Sequence, residues 1–183
     1  MKINKLHDEI WEIENFLSKT ELSVLLSIAK NSPENFWYQE DSPEYWRGKI
    51  LMIEVALSNS SMDGEFMKKL NTKIFNLFMN AWEVLSVSSI IRYRLGEGKG
   101  IHRDNDGEKD VNNVYGLVFY LNDDYEGGEI CYPSLNYSIK PKKNSVLIHY
   151  AGLEHGVNNV ISGTRYVLTS FVKGDSGTTV KEK

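Results

Sequence analysis

Residues 114–122 are VYGLVFYLN, a segment that is apolar almost throughout. Val, Tyr, Leu and Phe follow one another with almost no polar interruption, so no alternation separates a dry face from a wet one. β-Branched and aromatic residues at this density favour a strand. A strand that is apolar on both faces must be covered on both. The chain therefore needs a layer on each side of this segment.

Toward the N-terminus, SVSSIIRYR (86–94) reads as another strand, and Leu95 to Gly100 as a Gly-rich loop leading to His102. Toward the C-terminus, Tyr125-Glu126-Gly127-Gly128 turns into the short strand EICYP, and SIKPKKNSVLIHY (138–150) holds a turn at Lys142-Lys143-Asn144 and a further strand. HGVNNVISGTRYVLTSFV (155–172) reads as two strands joined at Ser162-Gly163. The tail from Gly174 is polar and predicts a frayed end.

Before residue 84 the pattern is helical, with one early strand, WEIENF, that takes in Ile10, Ile13 and Phe16. Ser18 and Glu21 form the S-x-x-E signature of a capping box. The helix they open presents Leu22, Leu25, Leu26 and Ala29 on one face, and Asn31-Ser32-Pro33 ends it. Residues 31–48 read as an irregular aromatic loop, and ILMIEVAL from Ile50 as a strand. Asp63 can cap a second helix carrying Phe66, Leu70, Ile74, Leu77, Phe78 and Ala81. Helices first and many short strands later predict a mainly β fold with supporting α-helices, an antiparallel barrel or sandwich. The LGEGKG loop is no phosphate loop: it lacks both nucleotide-binding fingerprints, and His-x-Asp follows it rather than a helix.

The 183 residues suffice for one domain. We expect residues 1–174 to form it, 1–83 as helical support with flanking strands and 84–174 as the β core, with 175–183 as the polar tail. A net charge of −4 gives no basic footprint and argues against a nucleic-acid partner. Cys131, the single cysteine, allows no internal disulfide and reads as a small packing residue. The start, MKINKLHDEIWEIENF, breaks its apolar residues with charges and is no signal peptide. No apolar run approaches the roughly 18 residues of a membrane span. A soluble cytoplasmic protein is the expectation.

His102-Arg103-Asp104 places two ligand-type side chains on one face of an extended segment. A second histidine would complete a set of two imidazoles and one carboxylate. Such a set occupies one face of an octahedral ion and leaves three positions open, which suits non-haem Fe(II). Candidates for the third ligand are His149, His155 and His7. His155 stands before Gly156 at a strand start, whereas His149 sits inside the run VLIHY, packed in the sheet or hydrogen-bonded behind a ligand. Asp106 rivals Asp104, but Asn105-Asp106-Gly107 reads as a turn. Arg165 shares a strand face with Val167, Thr169 and Phe171. An arginine in so apolar a row calls for an anionic partner: a salt bridge, or a carboxylate held by the guanidinium fork, with Tyr120 and Thr169 adding hydroxyls.

The series RYRLGEGKGIHRD, GLVFYLND, YEGGEI, PKKNSVLIH, EHGV and GTRYVLTSF, with ENFLSKTELSVLL at the start, resembles the 2-oxoglutarate- and Fe(II)-dependent dioxygenases, specifically their prolyl 4-hydroxylase-like branch. The resemblance runs over most of the chain. It implies a double-stranded β-helix, or jelly roll. His102, Asp104 and His155 match the metal ligands, and Arg165 the residue that binds the distal carboxylate of 2-oxoglutarate. Tyr93, Tyr120 and Thr169 match further co-substrate contacts. The implied reaction uses O2, splits 2-oxoglutarate to succinate and CO2, and hydroxylates a C–H bond; ascorbate belongs to the cofactors the resemblance allows. Halogenating relatives replace the carboxylate ligand with a small residue, so Asp104 favours hydroxylation.

The same resemblance suggests proline in a peptide or protein as the target, with Phe36, Trp37, Tyr38, Tyr45 and Trp46 as a groove or lid. The bland alternative is that these aromatics cover the edge of the core. Arg103 and Trp46 are the candidates for substrate contact. Competing readings are the same chemistry on a free amino acid, another protein side chain or a nucleic-acid base, a non-catalytic jelly-roll binding protein, and a cupin-like Zn or Mn protein. Nucleic-acid demethylases usually carry a second Arg six residues after the first, where this chain has Phe171. The cupin pattern would need more histidines than the four present.

Overall fold

The structure is a computed structural model that describes residues 2–39, 44–53, 64–106 and 111–182, with residues 85–88 described by their backbone alone. In chain order the strands are β1 (Ile3–His7), β2 (Ile10–Ile13), β3 (Trp37–Tyr38), β4 (Lys49–Met52), β5 (Phe78–Met79), β6 (Glu83–Tyr93), β7 (Lys99–His102) and β8 (Asn113–Tyr120). They continue with β9 (Tyr125–Gly127), β10 (Ile130–Tyr132), β11 (Tyr137–Ile139), β12 (Val146–Tyr150), β13 (His155–Val157), β14 (Val160–Gly163), β15 (Arg165–Lys173) and β16 (Thr179–Val180). The described helices are α1 (Lys19–Asn31) and α2 (Gly64–Phe75), with short 3-10 turns at Glu34–Phe36 and Pro133–Leu135.

The major sheet runs β1-β2-β12-β8-β15-β6-β4-β3, and the minor sheet β11-β10-β13-β7. From β6 onward the chain passes back and forth between them, and the paired strands are antiparallel. This is the expected mainly β jelly roll. Strand β8, which carries the two-sided apolar segment, is central in the major sheet and largely buried. Its residues Leu117 and Phe119 join the cluster beneath the helices, with Leu25, Leu70, Ile74, Ile148 and Leu168. Tyr120 joins a second cluster with Tyr93, Ile130, Leu147, Leu153 and Val167, placed between the sheets. The two clusters are the physical reason for its unbroken apolar pattern. Truncating a fully buried residue such as Leu70 to Ala should cost about 2–5 kcal/mol.

The capping box of α1 is present: Ser18 Oγ accepts from Glu21 N–H at 3.2 Å, and Ser18 N–H donates to the Glu21 carboxylate at 2.6 Å. The Lys142-Lys143-Asn144 turn is also formed. Asn144 takes φ +66, and its side-chain amide pairs with both backbone groups of Leu17, at 2.9 and 2.8 Å.

Several expectations need correction. The single early strand is a hairpin, with β1 preceding β2, and Phe16 is buried beyond its end after Asn15 turns the chain at φ +55. The second helix stops at Phe75. Leu77 is buried from the turn after it and Phe78 from the following strand, so their helical spacing was accidental. The proposed cap, Asp63, and the end of the strand begun at Ile50 lie outside the described residues. Within the aromatic loop, Trp37 is core, stacked at 4.3 Å by Arg92, whose guanidinium grips Glu34 at 2.8 and 3.0 Å. Segment 155–172 forms three strands rather than two. The tail is not frayed: β16 pairs with β5, Val180 is buried, and Trp11 Nε1–H donates to Glu182 at 2.7 Å. No helix among the described residues is long and apolar enough to cross a membrane.

Candidate metal centre

The minor sheet brings two of the candidate ligands side by side, because His155 on β13 pairs directly with His102 on β7. Asp104 lies just past β7, its backbone N–H donating to Ala151 O at 2.8 Å and its carbonyl accepting from Asn113 Nδ2 at 2.9 Å. One ligand atom from each of His102, Asp104 and His155 lies within 4.8 Å of the others. His102 Nε2 is 3.4 Å from Asp104 Oδ1, and His155 Nε2 is 3.6 Å from Oδ2.

Backbone carbonyls set the imidazoles. His102 Nδ1–H donates to Gly100 O at 3.0 Å and His155 Nδ1–H to Leu153 O at 2.9 Å. Both rings then turn a bare Nε2 toward the carboxylate, the arrangement that a metal ligand needs. Burial, helped by the neighbouring histidines, pushes His155 down to about 3, so it is neutral and able to ligate at ordinary pH. Burial alone would raise Asp104, but contact with the His102 and His149 imidazoles outweighs it. The carboxyl stays well below its usual range. A set of two imidazoles and one carboxylate, largely shielded from water, fits a divalent transition metal.

The triad lines a cavity of about 50 Å³ together with Tyr93, Lys99, His149, Val167, Thr169 and Arg165. Arg165 is 1% exposed. Its Nη2–H donates to the Tyr120 hydroxyl at 3.3 Å, and its guanidinium lies 5.1 Å from the rings of both Tyr93 and Tyr120. Among the described residues, its Nε and Nη1 have no hydrogen-bond partner. A buried cation with two free donors is costly unless an anion completes it. The site therefore fits a molecule that carries a carboxylate at one end and metal-binding oxygens at the other.

The sequence-predicted residues divide as follows. His102, Asp104, His155, Arg165, Tyr93 and Thr169 all face the cavity. Tyr120 stands behind Arg165 and acts on it rather than lining the space. Arg103 turns outward to Glu154 at 3.1 Å, and Trp46 lies under the Lys99 ammonium at 4.0 Å; neither lines the cavity. His7 is exposed on β1. Tyr45 does reach the centre, its ring edge-on to His102 at 6.1 Å and its hydroxyl on Ile101 O at 2.9 Å.

Three contributors were missed. Tyr125 is buried near Arg165, with a hydroxyl that burial pushes up to about 12 against the pull of that charge. Lys99 lines the cavity, and Gly116 lies directly beneath Asp104. A lone glycine inside a strand signals close approach, so Gly116 was findable.

No family model matches the sequence, and no curated protein matches it. Solved structures do match in shape. A prolyl-4-hydroxylase from Pseudomonas putida superposes with a TM-score of 0.65 at 14% identity, over 92% of this chain and 94% of that one. A 2OG-Fe(II) oxygenase family oxidoreductase from Burkholderia pseudomallei gives 0.65 at 14%, over 92% and 87%. The viral collagen prolyl hydroxylase from Paramecium bursaria Chlorella virus-1, in complex with 2OG, gives 0.55 at 20%, over 92% and 97%. The fold is that of the 2OG-Fe(II) oxygenases. At these identities the likeness is one of fold.

Proposed function

We propose that this protein is a 2-oxoglutarate- and Fe(II)-dependent dioxygenase that hydroxylates a C–H bond. The observation that carries the reading is that one cavity is lined both by His102, Asp104 and His155 and by the buried, half-satisfied guanidinium of Arg165. In this reading the triad holds Fe(II). Arg165, steadied by Tyr120, takes the distal carboxylate of 2-oxoglutarate through its free Nε and Nη1, and Tyr93 and Thr169 supply hydroxyls along the cavity. Bound iron supplies O2 activation coupled to decarboxylation of the keto acid, giving succinate, CO2 and a hydroxylated product. The chain's own part is to aim His102 and His155, keep His155 neutral, hold Asp104 ionised, and keep water out with the apolar wall of Val167 and Leu117.

The substrate proposed is proline in a peptide or protein. Two of the fold relatives are prolyl hydroxylases, and the edge of the Tyr45 ring beside His102 offers an aromatic wall where a peptide would approach. The test is turnover with Fe(II), 2-oxoglutarate and O2 over a proline-rich peptide panel, read as succinate and as a sixteen-dalton gain. A gain on prolyl peptides supports the full reading. Turnover on free amino acids or nucleic acid with none on peptides overturns the substrate and keeps the chemistry.

A further inference from the structure

His149 is 1% exposed and points from β12 into the space between the sheets, yet it is not one of the three ligands. Its Nε2 lies 3.0 Å from Asp104 Oδ2, and its Nδ1 lies 3.3 Å from the hydroxyl of Tyr132. A carboxylate only accepts, so the proton sits on Nε2, and the phenol then donates to Nδ1. This is the opposite tautomer from His102 and His155, whose Nδ1–H groups go to carbonyls. The same residue type is thus set as a donor here and as two acceptors of a metal beside it.

The sheet is built to admit this contact. His149 pairs across β8 with Gly116. A Cβ at position 116 would stand 2.5 Å from Asp104 Oδ2 and 2.6 Å from His149 Nε2, so any side chain there would displace the pair. The Asp104 backbone is held by Ala151 and Asn113, but His149 makes the shortest contact to its carboxylate.

We propose that His149 is a positioning residue: its Nε2–H, oriented by the Tyr132 hydroxyl, holds the Asp104 carboxylate facing His102 and His155, and Gly116 leaves the room for it. The role rests on the metal centre proposed above. Hydrogen-bond partners of metal ligands typically contribute about 10–100-fold to metal affinity.

The test is Co(II) titration of the full chain, read by its visible spectrum, with folding checked by circular dichroism. His149→Phe, which fills the space without a donor, should bind Co(II) about 10–100-fold more weakly and change the spectrum. His149→Gln, which keeps an N–H donor, should stay within a few-fold of the parent. If His149→Phe binds like the parent, the role is wrong. If His149→Gln fails as completely as His155→Ala, His149 is a ligand and the role is also wrong. A parent that binds no Co(II) overturns the metal centre itself, and this role with it. A measurement independent of variant folding is long-range proton–nitrogen NMR of the parent. It should show His149 protonated on Nε2 and His102 and His155 on Nδ1; a proton on Nδ1 of His149 overturns the proposal.

Discussion

The guanidinium of Arg165 donates to the hydroxyl of Tyr120 at 3.3 Å, deep between the sheets, while two of its nitrogens face no partner among the described residues. Arg165 lines the cavity that the metal triad also lines, and Tyr120 supports it from behind. A charge so placed weakens the folded chain and strengthens it only once an anion arrives.

Arg165→Met should therefore separate stability from binding. Removing a buried, incompletely paired cation leaves the thermal midpoint of the metal-free chain equal or higher. It also abolishes the stabilisation that 2-oxoglutarate gives to the wild type. Thermal melts with and without the keto acid check both halves. A large loss of stability in the variant would mean that Arg165 is structural.

Acid should weaken the metal-free fold through His155. In the folded chain it titrates at about 3, whereas an unfolded chain takes up that proton near about 6.5. Above that range both states are neutral and nothing is gained or lost. As pH falls from about 6.5 toward 3 the unfolded state binds the extra proton, so stability declines, by on the order of 2 kcal/mol at pH 5. The depressed Asp104 carboxyl adds a further loss only below its ordinary range. Chemical denaturation at pH 7 and pH 5 reads the slope, and His155→Gln should flatten it.

Gly116→Ala should damage the centre without touching a ligand. The added methyl falls on Asp104 and His149, so the carboxylate must move. Co(II) or Fe(II) affinity should drop by at least ten-fold, in the range of about 10–100-fold seen when support of a ligand is lost. Isothermal titration against the wild type measures it, and unchanged affinity would show that the carboxylate orientation does not matter.

Ser18→Ala should cost about 1 kcal/mol of stability by removing the cap of α1, with metal affinity unchanged, because α1 covers the outer face of the major sheet and contributes no ligand. Urea denaturation and metal titration of the same variant check the two statements together.

Much of this was legible in the sequence, for identifiable reasons. The two-sided pattern of 114–122 reflects two separate clusters, and that doubling cannot be produced by an exposed sheet. Choosing His155 over His149 rested on position: a strand start faces its neighbour strand, and His155 does pair with His102. The placement of His149 behind a ligand was also within reach, since a histidine inside VLIHY must find a buried partner. What escaped were contacts set by tertiary approach. Tyr125 meets Arg165 through the bend at Gly127 and Gly128, with φ +69 and +68, and no local pattern reports where such a bend points. The anchored tail escaped for a related reason: β16 is two residues long, and its partner β5 lies about a hundred residues away.

In the proposed function the triad and Arg165 together hold Fe(II) and 2-oxoglutarate in one cavity. Anaerobic addition of Fe(II) and 2-oxoglutarate is the decisive experiment. A visible metal-to-ligand absorption band should appear, be lost in His155→Ala, and give way to succinate when O2 is admitted. A wild-type chain that develops no band under anaerobic saturation and forms no succinate on oxygen exposure would contradict the account.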